Sequence, residues 1–490
     1  MKYVLGIDFG GGSSKATLLS ENGEVKAVST TEYKTYYPQS GYVEQKGEDW
    51  YLALKENIKN ILQSSNISAQ DIAAVSLDAA THTAVLMDEN FNILCPSIYW
   101  TDTRSLKQAE FLNENYGDEI MQKTFHKPST IWTLPQLLWI YENDGETFEK
   151  IRKIMFSKDY VRHCLTGDFV TDYIEAEGSM FFNFNTKEWD ENLCSMAHIT
   201  PDMLPKVLAP SDIAGKVTKE AAEDTGLAEG TPVLCGTTDT AMEILAAGAT
   251  EEGDITVKLA TAGRICVITD KPYPDRDFVN YSHVTDGLWY PGTATKSCAA
   301  SLRWYRDTFG GDYKELDEEA EKIEPGCQGL MFHPYLNGEL TPYANPNLCA
   351  SFVGVRAQHT KAHFTRAVLE GVAFSLLDCK KYLDSKGVLY NEKAFIIGGG
   401  AKSSLWRQIV SDVLGITLLE KKSSDSSLGS AIMAGVSCGF FKNFADAQEK
   451  CNSIVSETVP NMEKHEKYMK LFKKYKAVQS ALEPLYTDEI

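Results

Sequence analysis

Three short stretches place glycine, hydroxyl and charged side chains directly after apolar runs. The first, Gly10-Gly11-Gly12-Ser13-Ser14-Lys15, follows a run that ends in Asp8-Phe9. Glycines let backbone N–H groups close on an oxyanion, and the hydroxyls with Lys15 add donors. Two readings stand: an anion cradle with Asp8 holding a metal ion through water, or a glycine-rich hairpin turn. The spacing matches neither G-x-x-x-x-G-K-[ST] nor G-x-G-x-x-G. The second stretch, Gly398-Gly399-Gly400-Ala401-Lys402-Ser403, precedes a helical pattern. That is the arrangement for a phosphate at a helix N-terminus, or else a tight strand-to-helix turn. Ala260-Thr261-Ala262-Gly263 is a third small-residue turn. Three such turns in one chain point to a polyphosphate ligand.

Asp239, in Gly236-Thr237-Thr238-Asp239-Thr240-Ala241, sits at the mouth of an apolar helix. It reads as an N-cap or as a general base facing a cleft. Thr81-His82, after the strand-like Ala73–Leu77, offers polar groups. Trp100-Thr101-Asp102-Thr103-Arg104 joins an aromatic wall to a carboxylate and a guanidinium. An aromatic face with acids beside it suits a polyol, whose C–H face packs on the ring. A hydrogen-bonded histidine and a surface ion pair are the structural alternatives.

The elements that position these residues alternate between short apolar runs and helical patterns. Tyr3–Ile7 and Ala16–Leu19 form one hairpin pattern, and 254–259 with 265–268 form another, which suggests duplication. Ala73–Leu77, Pro232–Cys235 and Ala394–Ile397 read as buried strands. Phe364, Val368, Val372, Leu376 and Leu383 keep helical spacing, closed by Gly387. Ser403 or Ser404 caps a helix carrying Leu405, Ile409 and Val413, closed by Gly415. The expected fold is α/β with mixed sheets flanked by helices. A polar stretch at Glu251-Glu252-Gly253 divides it into domains 1–250 and 251–490. The Lys-rich segment 463–481 reads as a solvated terminal helix.

The 490 residues are 43% hydrophobic and 24% charged, a globular balance. With 68 acidic and 48 basic residues the net charge is −20, which argues against nucleic acid and anionic membranes as partners. No apolar run reaches membrane-spanning length. Eleven scattered cysteines, none in a C-x-x-C pair, fit a reducing, cytoplasmic compartment.

Taken in order, these segments resemble the FGGY carbohydrate kinases of the actin-like ATPase superfamily. Phe332–Pro342 is similar to that family's P-Y-L-x-G-E-R-x-P segment, with Leu340 in place of Arg. Arg366–Ala373 and Ile397–Arg407 resemble its C-terminal signature, and Lys127–Leu137 its K-x-x-W region. The xylulokinase branch is the nearest in resemblance. Departures are Thr81 for Met, Gly11-Gly12 for a Thr-bearing pair, and Ala260–Gly263 for Gly-Thr-Ser-Gly.

The resemblance implies two actin-like (ribonuclease H-like) domains around a cleft. It implies ATP-dependent phosphorylation of a terminal hydroxyl of a ketose, with D-xylulose as the leading acceptor. Another ketose, gluconate, a polyol or a non-catalytic sugar sensor are the alternatives. On this reading Asp239 is the base and Asp8 the Mg²⁺ residue. Thr81, His82, Trp100 and Asp102 contact the sugar. Gly11, Gly12, Ser13, Lys15, Thr261, Gly263, Gly399, Gly400, Ala401 and Ser404 hold the nucleotide. The implied partners are a small-molecule sugar and ATP, with a homodimer the family's frequent assembly.

Overall fold

The computed structural model describes residues 1–486. Strands β1 (Tyr3–Phe9), β2 (Ser13–Ser20), β3 (Val25–Glu32), β4 (Ile72–Ala79), β5 (Ile213–Lys216), β6 (Pro232–Leu234) and β7 (Thr237–Thr238) make a seven-stranded sheet. Its order is β5-β6-β4-β1-β2-β3, with β7 also pairing β4. β1 is antiparallel to β2 and parallel to β4, so the sheet is mixed. β1 is buried along its length except at Asp8, as a central strand covered on both faces must be.

A second sheet holds β8 (Ile255–Leu259), β9 (Gly263–Val267), β10 (Gly292–Thr295), β11 (Lys393–Ile397), β12 (Thr417–Lys421) and β13 (Ile454–Thr458). Its order, β10-β9-β8-β11-β12-β13, repeats the hairpin-plus-parallel-strand plan of the first sheet. The expected strands are all present, and helices flank both sheets.

The helices that frame the cleft are α1 (Ser157–Thr166), α2 (Tyr173–Gly178), α3 (Asp239–Ala247), α4 (Ala299–Phe309), α5 (Lys361–Ser385), α6 (Ser404–Leu414), α7 (Ser426–Ser437) and α8 (Met462–Leu482). Ser403 rather than Ser404 caps α6, accepting from the Trp406 amide at 3.0 Å.

α7 crosses from the second half to lie on β1. A Cβ at Gly6 would come within 2.1 Å of Ser427 O, and one at Gly429 within 2.1 Å of Met242 O. Glycine at both points lets the α7 backbone touch β1 on one side and α3 on the other. One apolar cluster consequently runs through both halves, joining Val4 and Leu234 to Cys266, Tyr281 and Ile432.

α8 departs from the expectation of a solvated helix. Tyr468, Phe472 and Tyr475 are buried, and the Tyr475 and Tyr335 hydroxyls meet at 2.9 Å. Its aromatic stripe docks against the second core, while the lysines occupy the outer face.

Candidate active site

The register brings three carboxyls to one edge of the first sheet. Asp8 on β1 pairs with Asp78 on β4, and Asp78 pairs with Thr237 on β7. Asp239 opens α3 immediately beyond β7. Thr238, not Asp239, is the N-cap, accepting from the Ala241 amide. The Asp239 Oδ1 accepts from the Thr240 amide at 2.6 Å, and Oδ2 has no partner among the described residues. The carboxyl is therefore held by one oxygen and offered by the other.

Burial raises the Asp239 carboxyl above the usual range, with Lys258 lowering it and Glu243 raising it. Burial also raises Asp8 to about 7; the hydrogen bond from Asp78 lowers it and the Asp239 and Asp425 charges raise it. Asp78, fully buried, is pushed well above the carboxylate range by burial and by the Asp8 charge. Neighbouring carboxyls at this spacing share a proton, and the more deeply buried Asp78 keeps it. Asp8 Oδ1 and Asp78 Oδ1 are buried without a hydrogen-bond partner. No protein-only cluster of three metal-type ligands occurs among the described residues. Mg²⁺ characteristically takes one or two carboxylates, with waters and substrate phosphates completing the octahedron. Asp8 fits that role.

The Gly10–Gly12 turn spends its carbonyls inward. Tyr33 Oη donates to Gly10 O, Thr35 Oγ1 to Gly11 O at 2.6 Å, and the Tyr33 amide to Gly12 O at 3.0 Å. The amides of Gly11 and Gly12 have no acceptor among the described residues. A Cβ on Gly12 would meet nothing, and one on Gly11 would approach Tyr99 Oη at 3.2 Å. Ser13 begins β2 beside the turn. Lys15 stands opposite Asp8 in register, but its ammonium is held by Asp425, the α7 cap, at 2.5 Å. It ties the hairpin to the second half of the chain.

On the sugar side, His82 is buried with φ 52°. Its amide donates to Glu175, and its carbonyl accepts from Thr133 Oγ1 at 2.8 Å. Burial lowers its pKa to about 3, so the ring is neutral. Its Nδ1 is buried and unpartnered. The ring packs on Trp132 at 5.0 Å, and Trp132 in turn stacks on His126 at 4.4 Å. Thr81 packs with His82 over Gly178, where a Cβ would come within 2.8 Å of the Thr81 methyl.

Trp100 is 42% exposed, its ring 6.0 Å from that of Tyr99. Asp102 is placed differently from a sugar contact. Its oxygens accept from the Val43 amide at 2.6 Å and from the Arg104 amide and guanidinium at 2.8–3.0 Å. The ion pair is buried rather than superficial, and it holds the Tyr99–Trp100 loop in place.

A buried ionic network lies close to the site, with Asp159 Oδ2 left without a hydrogen-bond partner. Lys158 Nζ meets Asp159 at 2.5 Å and Asp172 at 2.9 Å, while Arg162 binds Asp159 and Asp168. Asp172 caps α2 and accepts from Thr237 Oγ1 at 2.8 Å. Arg162 also donates to Cys235 O at 2.6 Å. The network thereby grips the strand that delivers Asp239 and the helix whose Glu175 holds His82.

In the second half, a cavity of about 800 Å³ is lined by Ala260, Thr261, Gly399, Gly400, Ser403, Ser404 and Trp406. A Cβ on Gly399 would meet nothing, whereas one on Gly400 would strike the Trp406 ring at 2.9 Å. Ala401 is buried beneath the turn rather than lining it. Gly263 is a packing position: a Cβ there would lie 2.7 Å from the Thr295 methyl. The structure thus brings Asp8 and Asp239 within electrostatic reach of each other beside the Gly11-Gly12-Ser13 turn, packs Thr81 with His82, leaves Trp100 exposed beside Tyr99, and lines the cavity with Thr261, Gly399, Gly400 and Ser404. It turns Lys15, Asp102, Gly263 and Ala401 to supporting positions. Asp78 and Tyr99, which fall in the two polar segments read as substrate-facing, and Glu175, Tyr33 and Asp425, which nothing in their local sequence marks, complete the arrangement.

Two mixed sheets around a cleft, with a carboxyl cluster and two glycine turns, define an ATP-dependent sugar kinase architecture. Residues 3–246 match the N-terminal domain of the FGGY family of carbohydrate kinases, and residues 261–438 its C-terminal domain. The chain belongs to that family and is a phosphotransferase with an alcohol group as acceptor. A xylulose kinase of Bacillus subtilis (strain 168) is 30% identical over 494 residues, covering 99% of this chain and 98% of the relative. A gluconokinase of the same organism is 31% identical, covering 99% and 97%. The crystal structure of xylulose kinase from Rhodospirillum rubrum aligns with a TM-score of 0.92 at 26% identity, covering 99% and 100%.

Proposed function

We propose that the protein transfers the γ-phosphoryl of ATP to the terminal hydroxyl of a ketose, with D-xylulose as acceptor and D-xylulose 5-phosphate as product. The observation that carries this is the position of Asp239. Its Oδ2 has no partner among the described residues, and its carboxyl lies within electrostatic reach of Asp8, whose strand runs into the Gly10–Gly12 turn with its unpaired Gly11 and Gly12 amides.

Asp239 accepts the hydroxyl proton, and burial supports that role by making the carboxyl more basic than one in water. The neutral His82 ring, with Nδ1 free, orients sugar hydroxyls, and Trp100 covers the C–H face. The Gly11 and Gly12 amides hold the transferring phosphoryl oxygens, and the cavity at Gly399–Ser404 takes the adenosine. When bound beside Asp8, Mg²⁺ supplies charge neutralisation on the phosphates. The acidic cleft makes that neutralisation necessary, because Asp8 and Asp239 otherwise repel the incoming polyphosphate.

Among the described residues no helix is long and apolar enough to cross a membrane. The same proposal places the protein in the cytoplasm, in keeping with the eleven cysteines, all free thiols.

Coupled ADP release with Mg-ATP against ketoses, polyols and aldonates tests the reading. Sugar-dependent release that favours D-xylulose is the expected result. ATP turnover indifferent to sugar would overturn it.

A further inference from the structure

Between β9 and β10, a strap from the second half of the chain is pinned to the first half. The Asn280 amide donates to His126 Nε2 at 3.0 Å. The Ser282 amide and hydroxyl donate to the Glu177 carboxylate at 2.7 and 2.6 Å. Tyr173 Oη donates to the His283 carbonyl at 3.2 Å. Val279 meanwhile exchanges backbone hydrogen bonds with Gly292 of β10 at 3.0 and 2.9 Å, so the strap stays joined to its own sheet. Tyr281, in the middle, is fixed from both sides. Its ring stacks on Tyr290 at 5.6 Å and lies 5.3 Å from that of His126.

The packing leaves one part of Tyr281 unused. The residue is only 4% exposed, and its Oη makes no hydrogen bond with any described residue. Unlike His82 Nδ1, this oxygen is not among the side-chain atoms sealed from solvent without a partner. A buried ring thus ends in a free, accessible hydroxyl. A Cβ on Gly178 would lie 2.8 Å from the Thr81 methyl, 2.9 Å from the His82 ring and 3.1 Å from Tyr281 Oη. Glycine at that point lets the three groups converge. Burial, followed by Tyr290, Glu175 and Glu177, pushes the phenol well above its ordinary 10, with Arg264 opposing. It therefore keeps its proton and can donate as well as accept. Asp239 and Asp8 act instead on Tyr99, which sets Tyr281 toward the end of the site away from the base.

Resting on the kinase reading above, we propose that Tyr281 is a further sugar contact, its hydroxyl bonding an oxygen at the C1–C2 end of the ketose, remote from the phosphorylated hydroxyl. A neutral phenol meets a neutral sugar oxygen without burying a charge. Recognition of the acceptor is then shared between the halves: the first supplies Thr81 and His82, and the second reaches across with Tyr281. The hydroxyl holds the sugar and takes no part in the proton transfer to Asp239.

The test compares wild type with Tyr281→Phe, which deletes one oxygen and keeps the ring. Because that oxygen has no protein partner, the ligand-free Tm of the variant should equal that of wild type. With D-xylulose and Mg-ATP, sugar kcat/KM should fall roughly tenfold, the scale of one neutral hydrogen bond. The loss should come chiefly through a raised KM, since the contact is distant from the reacting atoms. The KM for ATP and the acid-side fall of kcat/KM with pH should be unchanged, and D-xylulose should raise the Tm less than it does in wild type.

An unchanged sugar KM, or a loss confined to kcat, would overturn the inference and leave the kinase reading standing. A lower ligand-free Tm, or a raised KM for ATP, would also overturn it by assigning the hydroxyl to folding or to the phosphates. Wild type that releases no ADP with any ketose would overturn the kinase reading itself, and this contact with it.

Discussion

Two charged regions lie close together and are treated in opposite ways. In one, Lys158 and Arg162 are matched by Asp159, Asp168 and Asp172, charge against charge, and Asp172 also caps helix α2. In the other, Asp8, Asp78 and Asp239 crowd like charges together. The first network orders two elements, the strand before Asp239 and the helix holding His82. Asp78 and Asp239 are each held through one oxygen, and Asp8 Oδ1 and Asp78 Oδ1 are buried without a partner. Burial costs both regions desolvation; opposite charges offset it in the first, and no cation among the described residues pairs with the carboxyls of the second.

The largest consequence is at Asp239. Asp239→Asn should lower kcat by roughly 10²–10⁴, the range of a general base, while sugar still raises the Tm of the variant. Because burial raises this carboxyl, wild-type kcat/KM should fall as pH drops through a value above its ordinary 3.8. Protonation removes the acceptor, so the loss lies on the acid side, and the residual activity of the variant should lack that limb. Near-normal turnover would remove Asp239 from its role.

Lys158→Met breaks the charge-matched region instead. It leaves Asp172 without its cation and should cost about 3–5 kcal/mol of stability, as removal of one buried partner does. Urea unfolding measures it, and a loss below about 1 kcal/mol would erase the contrast with the cleft.

Gly6→Ala tests the seam between the halves. The added methyl meets the α7 backbone, so overpacking should cost about 1–3 kcal/mol and lower the Tm. A variant as stable as wild type would show that α7 is free to move away from β1.

His82→Ala is the smallest step. It should lower sugar kcat/KM about tenfold, mainly through KM, since one neutral hydrogen bond is worth about 1 kcal/mol. The KM for ATP should stay unchanged. Unaltered sugar kinetics would take His82 out of the sugar site and leave Trp100 and Thr81 to carry it.

Much of this was legible locally. Apolar runs ended by glycine marked β1, β4, β8 and β11, and Gly415 marked the end of α6, because a strand end or an αL cap is decided by neighbouring residues. Asp239 and His82 were visible as polar residues directly beyond buried strands. Lys15 was visible too, but its partner was not, because Asp425 is 410 residues away; for Asp102 the Arg104 pair was legible from spacing, while its burial and the Val43 amide 59 residues away were not. The lysine-rich face of α8 concealed an aromatic stripe whose docking surface is made by residues more than a hundred positions earlier.

The amino-acid sequence by itself determined the mixed α/β class, the two hairpin-led halves, the glycine turns and the family to which the chain belongs. Those depend on short-range spacing and on ordered motifs. Tertiary structure alone decided which charges are matched and which are left open. It set Asp78 beside Asp8, buried the Asp102–Arg104 pair, and gave Lys15 to Asp425. Pairing depends on distances between residues far apart in the chain, and strand register with helix packing sets those distances.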